Sequence, residues 1–379
     1  MANDLSSVAA DLYKAAEIVG QEGVGALNSV VINGGSEAVA KGQSVKSLRT
    51  DAPTLNASVT PSMTIPNGDD NTPTSQSFTV SSVANVMMNI TGEETAQINT
   101  NYNFETYQGY RFLQAFRAIR NTIESALCTA VYKGASRAYG TAGTTPFGSN
   151  FNEIAEIRQI LFDNGFLMPG EMSLVINSLA GTNLRQLAQL QKVNEGGGDD
   201  LLRRGELLNL QGFSVKESAG IASHTKGTGT SYQTAAALAA GATTVTADTG
   251  SGTLLAGDVV TFAADSTNKF IANSALSGGS FTIGSPGIRT AIADNNAITI
   301  GNNYTANLAI CRPCVELVAR PLKAPDGDAA DDVMQVPDPI TGLVYEVRQY
   351  GGFHKAMWSI SMVYDAKVWD SDGVAVLIG

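Results

Sequence analysis

Apolar residues recur at steps of three and four along residues 103–138, the longest periodic stretch of the chain. The recurring positions are Phe112, Phe116, Ile119, Ile123, Leu127 and Ala130. This spacing predicts an α-helix with one apolar face, and it places Arg117, Arg120 and Glu124 on the other face. At 1.5 Å per residue such a helix is about 50 Å long. Because it is longer than a small domain is wide, we expect it to act as a spine.

The chain before this helix is poorer in core-forming patterns. Residues 3–20 have helical spacing of apolar residues, whereas residues 20–50 are rich in Gly, Ser and Asn and predict a mobile or extended arm. Two extended runs follow within residues 60–88, joined by the segment 67–71, whose Asn, Gly and Asp residues favour a turn. We therefore predict a long two-stranded hairpin with little of its own chain to pack against.

The two runs of the hairpin differ in composition. The outgoing run contains Val59, Met63 and Ile65, with prolines at positions 61 and 66 that favour the edge of a sheet. The return run is apolar at Phe78, Val80, Val83, Val86 and Met88. This partial alternation with β-branched residues predicts a strand.

Helices and short strands mix after the spine, which favours an α+β fold. The predicted helices are 151–163, 179–190 and 200–208, and the predicted strands are 171–177, 213–217, 308–318 and 353–368. A flexible loop is expected at 196–200, and the acidic segment 325–339 is expected to be a loop as well.

Composition changes sharply at residues 225–303, where Gly, Thr, Ala and Ser dominate and charged residues become rare. Short apolar alternations are separated there by turn residues. They are predicted as strands at 243–247, 258–262, 269–272, 280–283 and 297–300. Regularly spaced short strands favour a small β-barrel or sandwich inserted into the α+β unit, with a low-complexity loop as the alternative.

The overall charge argues against a nucleic-acid-binding or membrane-binding protein. The chain has 24 Lys and Arg against 35 Asp and Glu, a formal net charge of −11, and its basic residues do not cluster. Only 16% of the 379 residues are charged. Either partners cover much of the surface, or Gly, Ser, Thr and Asn supply its polarity, as the 39 glycines indicate in part. We expect neither a signal peptide nor a membrane-spanning helix.

Candidate catalytic residues are few. His224 and His354 are the two histidines, and neither has neighbours in sequence that suggest a triad or a metal site. Cys311 and Cys314 form a Cys-x-x-Cys motif, but no second pair completes a zinc site, and the apolar strand-like context does not favour a redox pair. We therefore expect no enzyme activity, no cofactor and no metal, and we keep a thiol-dependent enzyme using these two cysteines as an alternative.

The order of these parts resembles the major capsid protein of tailed double-stranded-DNA bacteriophages, a fold shared with encapsulin shells. The resemblance is strongest at residues 77–127, which begin SFTVSSVANVMM and are similar to the return strand and the spine helix. A second match is LQGFSVKESAGI at 210–221, followed by the β-rich segment and NLAICRPCVELVARPL at 307–322. It is similar to the axial domain of coat proteins with an inserted β-barrel domain. The segment FHKAMWSISMVYDAKVW at 353–369 is similar to the closing strands.

The resemblance implies a division of the chain into the regions of that fold. These are an N-terminal helix and arm (1–50), an extended loop (51–92), a peripheral domain with the spine helix (93–150), an axial domain (151–224 and 304–340), an inserted β domain (225–303) and closing strands of the peripheral domain (341–379).

The resemblance also implies self-assembly into an icosahedral shell around a double-stranded DNA genome. Hexamers and pentamers of the chain would build the shell in the cytoplasm of a bacterial host, with scaffolding and portal proteins as partners and without sequence-specific DNA contacts. An encapsulin-like compartment is the alternative in the same structural class. The predicted contacts between subunits are Met63, Ile65, Asp69, Asp70, Phe78 and Val80, with the two aspartates at the hairpin tip meeting a basic residue of the neighbour.

Overall fold

A computed structural model describes residues 23–35, 37–49, 59–65, 74–101, 104–191, 209–338 and 341–379. The helices of these residues are α1 (Gly92–Asn101), α2 (Phe104–Lys133), α3 (Asn152–Asp163), α4 (Ser178–Gln186) and α5 (Ala188–Gln191). The strands of the first part are β1 (Val31–Gly34), β2 (Ser44–Arg49), β3 (Thr74–Thr79), β4 (Ser82–Thr91), β5 (Arg137–Gly140), β6 (Met172–Ile176), β7 (Asn209–Leu210), β8 (Phe213–Glu217), β9 (Ser223–His224) and β10 (Tyr232–Thr234). The later strands are β11 (Thr244–Asp248), β12 (Val259–Phe262), β13 (Asp265–Ile271), β14 (Ser280–Thr282), β15 (Ala297–Ile300), β16 (Tyr304–Cys311), β17 (Val315–Arg320), β18 (Asp332–Pro337), β19 (Val344–Gly352), β20 (Lys355–Val368) and β21 (Val374–Ile378). The predicted helices 3–20 and 200–208 and the predicted loop at 196–200 lie outside the described residues.

The spine helix α2 lies on one face of a six-stranded sheet. The strands of this sheet follow the order β1-β17-β20-β19-β18, and β4 pairs with the long strand β20. Phe112, Phe116 and Ile123 of α2 are fully buried and pack in one cluster with side chains of the sheet. The predicted spine is confirmed, with 30 residues and a length of about 45 Å. It ends at Lys133 rather than near residue 138, because residues 137–140 form strand β5 of a second sheet.

The second sheet has thirteen strands among the described residues and joins two hydrophobic clusters. In the first cluster α3 and α4 pack on the sheet through fully buried side chains such as Ile157 and Leu184. The second cluster belongs to the β-rich segment and contains Phe262, Phe270 and Phe281. Strand β5 lies between the two parts of the sheet, because it pairs with β13 on one side and with β21 on the other. The β-rich segment is therefore continuous with the second sheet.

The strands predicted within residues 225–303 are found within a few residues of their expected positions, and β15 has the predicted bounds. They enclose their own apolar core, so the alternation in the sequence marks a folded unit and not a loop. The unit expected as a barrel or sandwich shares a sheet with the α+β unit. Strand β13 pairs with β5 through Lys269 and Phe270, so the segment extends an existing sheet instead of closing on itself.

The hairpin differs from its prediction in the position of its first strand. Strand β2 (Ser44–Arg49) pairs antiparallel with β3 (Thr74–Thr79) over six residue pairs, so the outgoing strand lies in the region expected to be a mobile or extended arm. Residues 59–65 form no strand. The return run divides into β3, which belongs to this two-stranded ribbon, and β4, which belongs to the six-stranded sheet.

Two predictions near the C-terminus are also wrong in detail. The single strand expected at 308–318 is two strands, β16 and β17, which belong to different sheets and are separated by a 3-10 turn at Arg312–Cys314. The acidic segment 325–339, expected to be a loop, contains β18. Strand β20 is confirmed, whereas β21 joins the second sheet beside β16 rather than the sheet of β19 and β20.

Gly140, at the junction of β5 and β21, is expected to be intolerant of a side chain. Its φ is +108°, and a Cβ atom there would lie 2.4 Å from the carbonyl oxygen of Ile378. Gly140→Ala should therefore lower the free energy of unfolding by more than about 1 kcal/mol, measured by chemical denaturation. Gly143→Ala is the control, because Gly143 has φ +81° but nothing within 4 Å of its Cβ position. Equal stability losses in the two variants would contradict the steric part of this account.

Candidate assembly surface

The base of the hairpin is fixed to its own chain. Val45 and Val80 are buried in a small cluster with Val318 of β17 and Val363 of β20. The residues next to Val318 in β17 and next to Val363 in β20 belong instead to the hydrophobic cluster that contains the spine helix. Because successive side chains of a strand point to opposite faces, the ribbon of β2 and β3 is anchored on the face of the six-stranded sheet opposite α2.

An aromatic contact strengthens this anchor. The ring of Phe78 meets the edge of Trp369 at a centroid distance of 5.7 Å, and the indole Nε1 of Trp369 donates a hydrogen bond of 2.7 Å to Glu316. Edge-to-face aromatic pairs contribute about 0.5–1.5 kcal/mol beyond their burial. The ribbon therefore leaves the sheet from a defined position.

Residues 59–65 follow β2 in the sequence, and their large apolar side chains have no apolar partner among the described residues. Val59, Met63 and Ile65 are 91%, 105% and 93% exposed. The backbone–backbone hydrogen bonds of the described residues include none from residues 59–65. Large exposed apolar side chains that lie close together mark an interaction site. We call residues 59–65 the arm segment.

The six predicted contact residues separate into three groups. Met63 and Ile65 are fully exposed and stay predicted contacts. Val80 is fully buried in its own chain, and Phe78 is half-buried against Trp369. The placement of Val80 corrects its assignment, because its side chain has no surface left for a neighbour and anchors the ribbon instead. Asp69 and Asp70 lie outside the described residues.

Other exposed apolar side chains are distributed over several elements. Phe353, at the turn between β19 and β20, is 93% exposed. Phe162 at the end of α3 and Leu179 in α4 are exposed on the helical side of the second sheet, and Met87 and Tyr110 are exposed near the start of the spine. Because these side chains are scattered singly over the surface, they do not by themselves mark an interaction site.

The spine helix contains a buried ion pair that the sequence pattern missed. Arg120 is fully buried and its guanidinium donates to the carboxylate of Asp338, which is also buried. The same carboxylate accepts a hydrogen bond of 2.5 Å from Thr341 Oγ1. The pair joins the middle of the spine to the loop between β18 and β19. One signal was available in the sequence, since Arg120 stands four residues after the apolar Phe116 and directly after Ile119.

Glu124, one helical turn further, is the second buried charge of the spine. Its carboxylate accepts hydrogen bonds from the backbone N–H groups of Ala26 and Leu27, at 2.8 and 2.9 Å, and from Ser218 Oγ at 2.5 Å. Burial raises the pKa of the Glu124 carboxyl, and these three hydrogen bonds and the charge of Arg120 oppose that shift. Glu124 thereby ties the segment before β1 to the spine and to the turn after β8.

His224 and Asp258 form a third buried polar contact, between the spine and the β-rich segment. The Nε2 atom of His224 lies 2.8 Å from Asp258 Oδ1, and its Nδ1 atom lies 3.3 Å from the hydroxyl of Tyr132 in α2. Asp258 also accepts from the N–H groups of Gly227 and Leu255. Because these groups satisfy one another within the protein, the contact serves to fix the β-rich segment on the end of the spine.

Cys311 and Cys314 lie at the crossover from β16 to β17, and both are fully buried. The thiol of Cys314 donates a hydrogen bond to Cys311, which lowers the pKa of the Cys311 thiol, while burial and Glu171 act in the opposite direction. A substrate has no access to either sulfur in this position. The pair fills the space beside Gly373, where a Cβ atom would lie 2.2 Å from Cys314 Sγ.

Metal ligands and membrane spans were sought in the same part of the chain. Within the described ranges no three His, Cys, Asp or Glu residues group in a way that would hold a metal ion. Over those ranges, none of the helices combines the length and the apolar character needed to cross a membrane.

Comparisons with known proteins give matches in structure only. No family model matches the sequence, and no curated protein matches it. The structure is similar to the capsid of cyanophage P-SCSP1u, with a TM-score of 0.50, 11% sequence identity, and coverage of 92% of this chain and 86% of that one. It is also similar to the capsid of an empty GTA particle, with a TM-score of 0.49, 10% identity and coverage of 94% and 90%.

A chain of Mycobacterium phage Che8 is similar at a TM-score of 0.47 and 14% identity, with coverage of 89% of this chain and 85% of that one. Of the three, the likeness to the cyanophage capsid is the one that supports a statement about the fold, because it reaches a TM-score of 0.50 over most of both chains. The chain therefore has the fold of a phage capsid protein, as its resemblance to tailed-phage major capsid proteins predicted.

Proposed function

We propose that the chain is the subunit of an icosahedral capsid that encloses the double-stranded DNA genome of a tailed bacteriophage. The observation that carries this proposal is the arm segment: its base is anchored in its own chain, and its apolar side chains are fully exposed. A hairpin of this kind gains its stabilising contacts from a second copy. The fold shared with a cyanophage capsid supports the same function.

The charge and surface of the chain suit a container wall. A net charge of −11 weakly repels DNA, so the wall holds the genome without binding it tightly. Hexamers and pentamers of the chain would bring the arm segment of each subunit onto the next one around the ring. Assembly in the cytoplasm of a bacterial host, with scaffolding and portal proteins as partners, belongs to this proposal.

Size-exclusion chromatography with light scattering tests the proposal on the purified full-length chain. We expect particles of megadalton mass, compared with 39.5 kDa for one chain. Particles isolated from infected cells should contain DNA that is protected from nuclease. High-mass particles that contain a protein cargo and no DNA would instead support an encapsulin-like compartment, and a chain that stays monomeric at all concentrations would contradict both.

A further inference from the structure

A groove of about 510 Å³ runs along the free edge of β1, the first strand of the six-stranded sheet. Its lining includes Leu27, Val30, Ile32 and Val344, which are apolar. Glycines at positions 34, 35 and 342 leave its wall open. A space of this size accommodates several side chains of an extended peptide.

The edge of β1 that borders this groove is unpaired. Strand β1 pairs in parallel with β17 on one side, and no other described strand pairs with it. Val31 in this strand is 40% exposed. An unpaired edge presents a row of N–H and C=O groups to which another extended segment can add.

Two cations lie at the groove in a chain that is acidic overall. Arg312 lines it and is exposed. Lys216 Nζ donates to the carbonyl oxygen of Asn28, another lining residue, at 2.8 Å. Burial lowers the pKa of Lys216, and the charge of Arg312 adds to this effect. Neither cation forms an ion pair with a carboxylate of the described residues, so the site favours an acidic partner.

We propose that this groove receives the arm segment of a second copy of the chain, with Asp69 and Asp70 of that copy meeting Arg312 and Lys216. The inference rests on the proposed function and names the surface that the arm occupies. The arm segment supplies apolar side chains for the apolar wall, and the two aspartates follow Ile65 within about 14–18 Å of extended chain. The nearly complete exposure of Met63 and Ile65 shows that the arm of the same chain does not fill this groove.

Pro61 of the arm segment favours pairing along only one of its two edges. In an extended segment, Thr60, Ser62 and Thr64 direct their backbone groups to one edge, and Val59, Pro61 and Met63 direct theirs to the other. Pro61 has no N–H group, so the second edge is a poor partner for a strand. One arm can therefore add to one β1 edge without recruiting a further strand.

A charge-reversal experiment tests the ionic contact. We expect Arg312→Glu to raise the concentration needed for assembly about tenfold or more, since like charges in a contact cost several kcal/mol. Asp69→Arg with Asp70→Arg should have a similar effect, and the combination of all three changes should restore assembly. Arg158→Glu, an exposed arginine on α3, is the matched control and should assemble as the wild type does. Wild-type assembly by Arg312→Glu, or no recovery in the combined variant, would overturn the inference.

Cross-linking tests the position of the arm directly. The native cysteines, Cys128, Cys311 and Cys314, are buried. A disulfide between two introduced surface cysteines can therefore be detected without competition from native thiols. In assembled particles treated with oxidised glutathione, Ile65→Cys with Val31→Cys should give a ladder of linked chains on a non-reducing gel. The control is Ile65→Cys with Met87→Cys, in which the second cysteine lies on strand β4 outside the groove. This pair should give no linked chains.

The outcomes separate this inference from the proposed function. Particles that form normally and link only through the Met87 pair, or through neither pair, would overturn the groove assignment and leave the shell function intact. Failure of the wild-type chain to form particles would overturn the proposed function and this inference with it.

Discussion

A chain with Met63→Asp and Ile65→Asp is expected to fold as the wild type does and to form no shells. Both side chains are fully exposed in the single chain, so their replacement costs little folding free energy. Burying each of them on a neighbour would contribute about 1.5–3 kcal/mol. Losing both weakens each contact about a hundredfold or more, before the cost of desolvating two carboxylates is added.

The measurement is sedimentation of purified wild-type and variant chains over a range of concentrations, with circular dichroism to establish folding. Thr60→Asp with Thr64→Asp is the control, because it adds the same charges at exposed polar positions of the same segment and should impair assembly less. If the Met63 and Ile65 variant assembles normally, the arm is not an assembly contact.

Replacing Arg120 by methionine should lower the free energy of unfolding by about 3–5 kcal/mol, because it leaves the carboxylate of Asp338 buried without its cation. Both side chains are completely buried, so water cannot compensate the lost partner. Chemical denaturation of the unassembled chain measures the difference. Arg117→Met is the control, since Arg117 lies one turn earlier on the exposed side of the same helix and should cost less than about 1 kcal/mol.

A double variant distinguishes loss of the ion pair from loss of packing. Arg120→Met combined with Asp338→Leu removes both charges, and it should recover much of the lost stability, as replacing a buried ion pair by apolar residues often does. A double variant as unstable as Arg120→Met alone would mean that shape, and not the unpaired charge, causes the loss.

Local patterns in the sequence predicted the elements that depend on local spacing. The spine helix, α3, β6, β8 and most strands of the β-rich segment have periodic apolar residues over enough positions to determine their type. The buried roles of Arg120 and Glu124 depend instead on partners far away in the chain, 218 residues apart for Arg120 with Asp338 and 94 for Glu124 with Ser218. Periodicity on one helix contains no information about such partners.

Two strand predictions are wrong for physical reasons that the spacing of apolar residues does not reveal. The run from Leu308 to Val318 is mostly apolar because β16 and β17 are both largely buried. The pattern therefore predicts one strand, although Arg312 and Pro313 mark the break between two. The outgoing run of the hairpin is predicted around Val59, Met63 and Ile65, because these apolar residues stand shortly before the turn residues at 67–71. Strand β2 is mostly polar and is held by its pairing with β3 and by Val45 in the anchor cluster.

The predicted contact residues also show that a local pattern carries no information about partners far away in the chain. Sequence alone indicated that Met63, Ile65, Phe78 and Val80 form an apolar strip, but it did not show which of them their own chain already covers. The structure buries Val80 and half of Phe78 and leaves Met63 and Ile65 exposed. The groove beside β1 could not be predicted either, because it combines residues 27–35 with residues 312 and 341–344 through the pairing of β1 with β17.

Electron microscopy of the purified full-length chain, in the high-mass fraction, tests the central claim most directly. The account predicts closed shells of uniform diameter with icosahedral symmetry, in which the arm of each subunit lies on its neighbour. A chain that yields only monodisperse monomers, or irregular aggregates without closed shells, under conditions in which it is folded would contradict it.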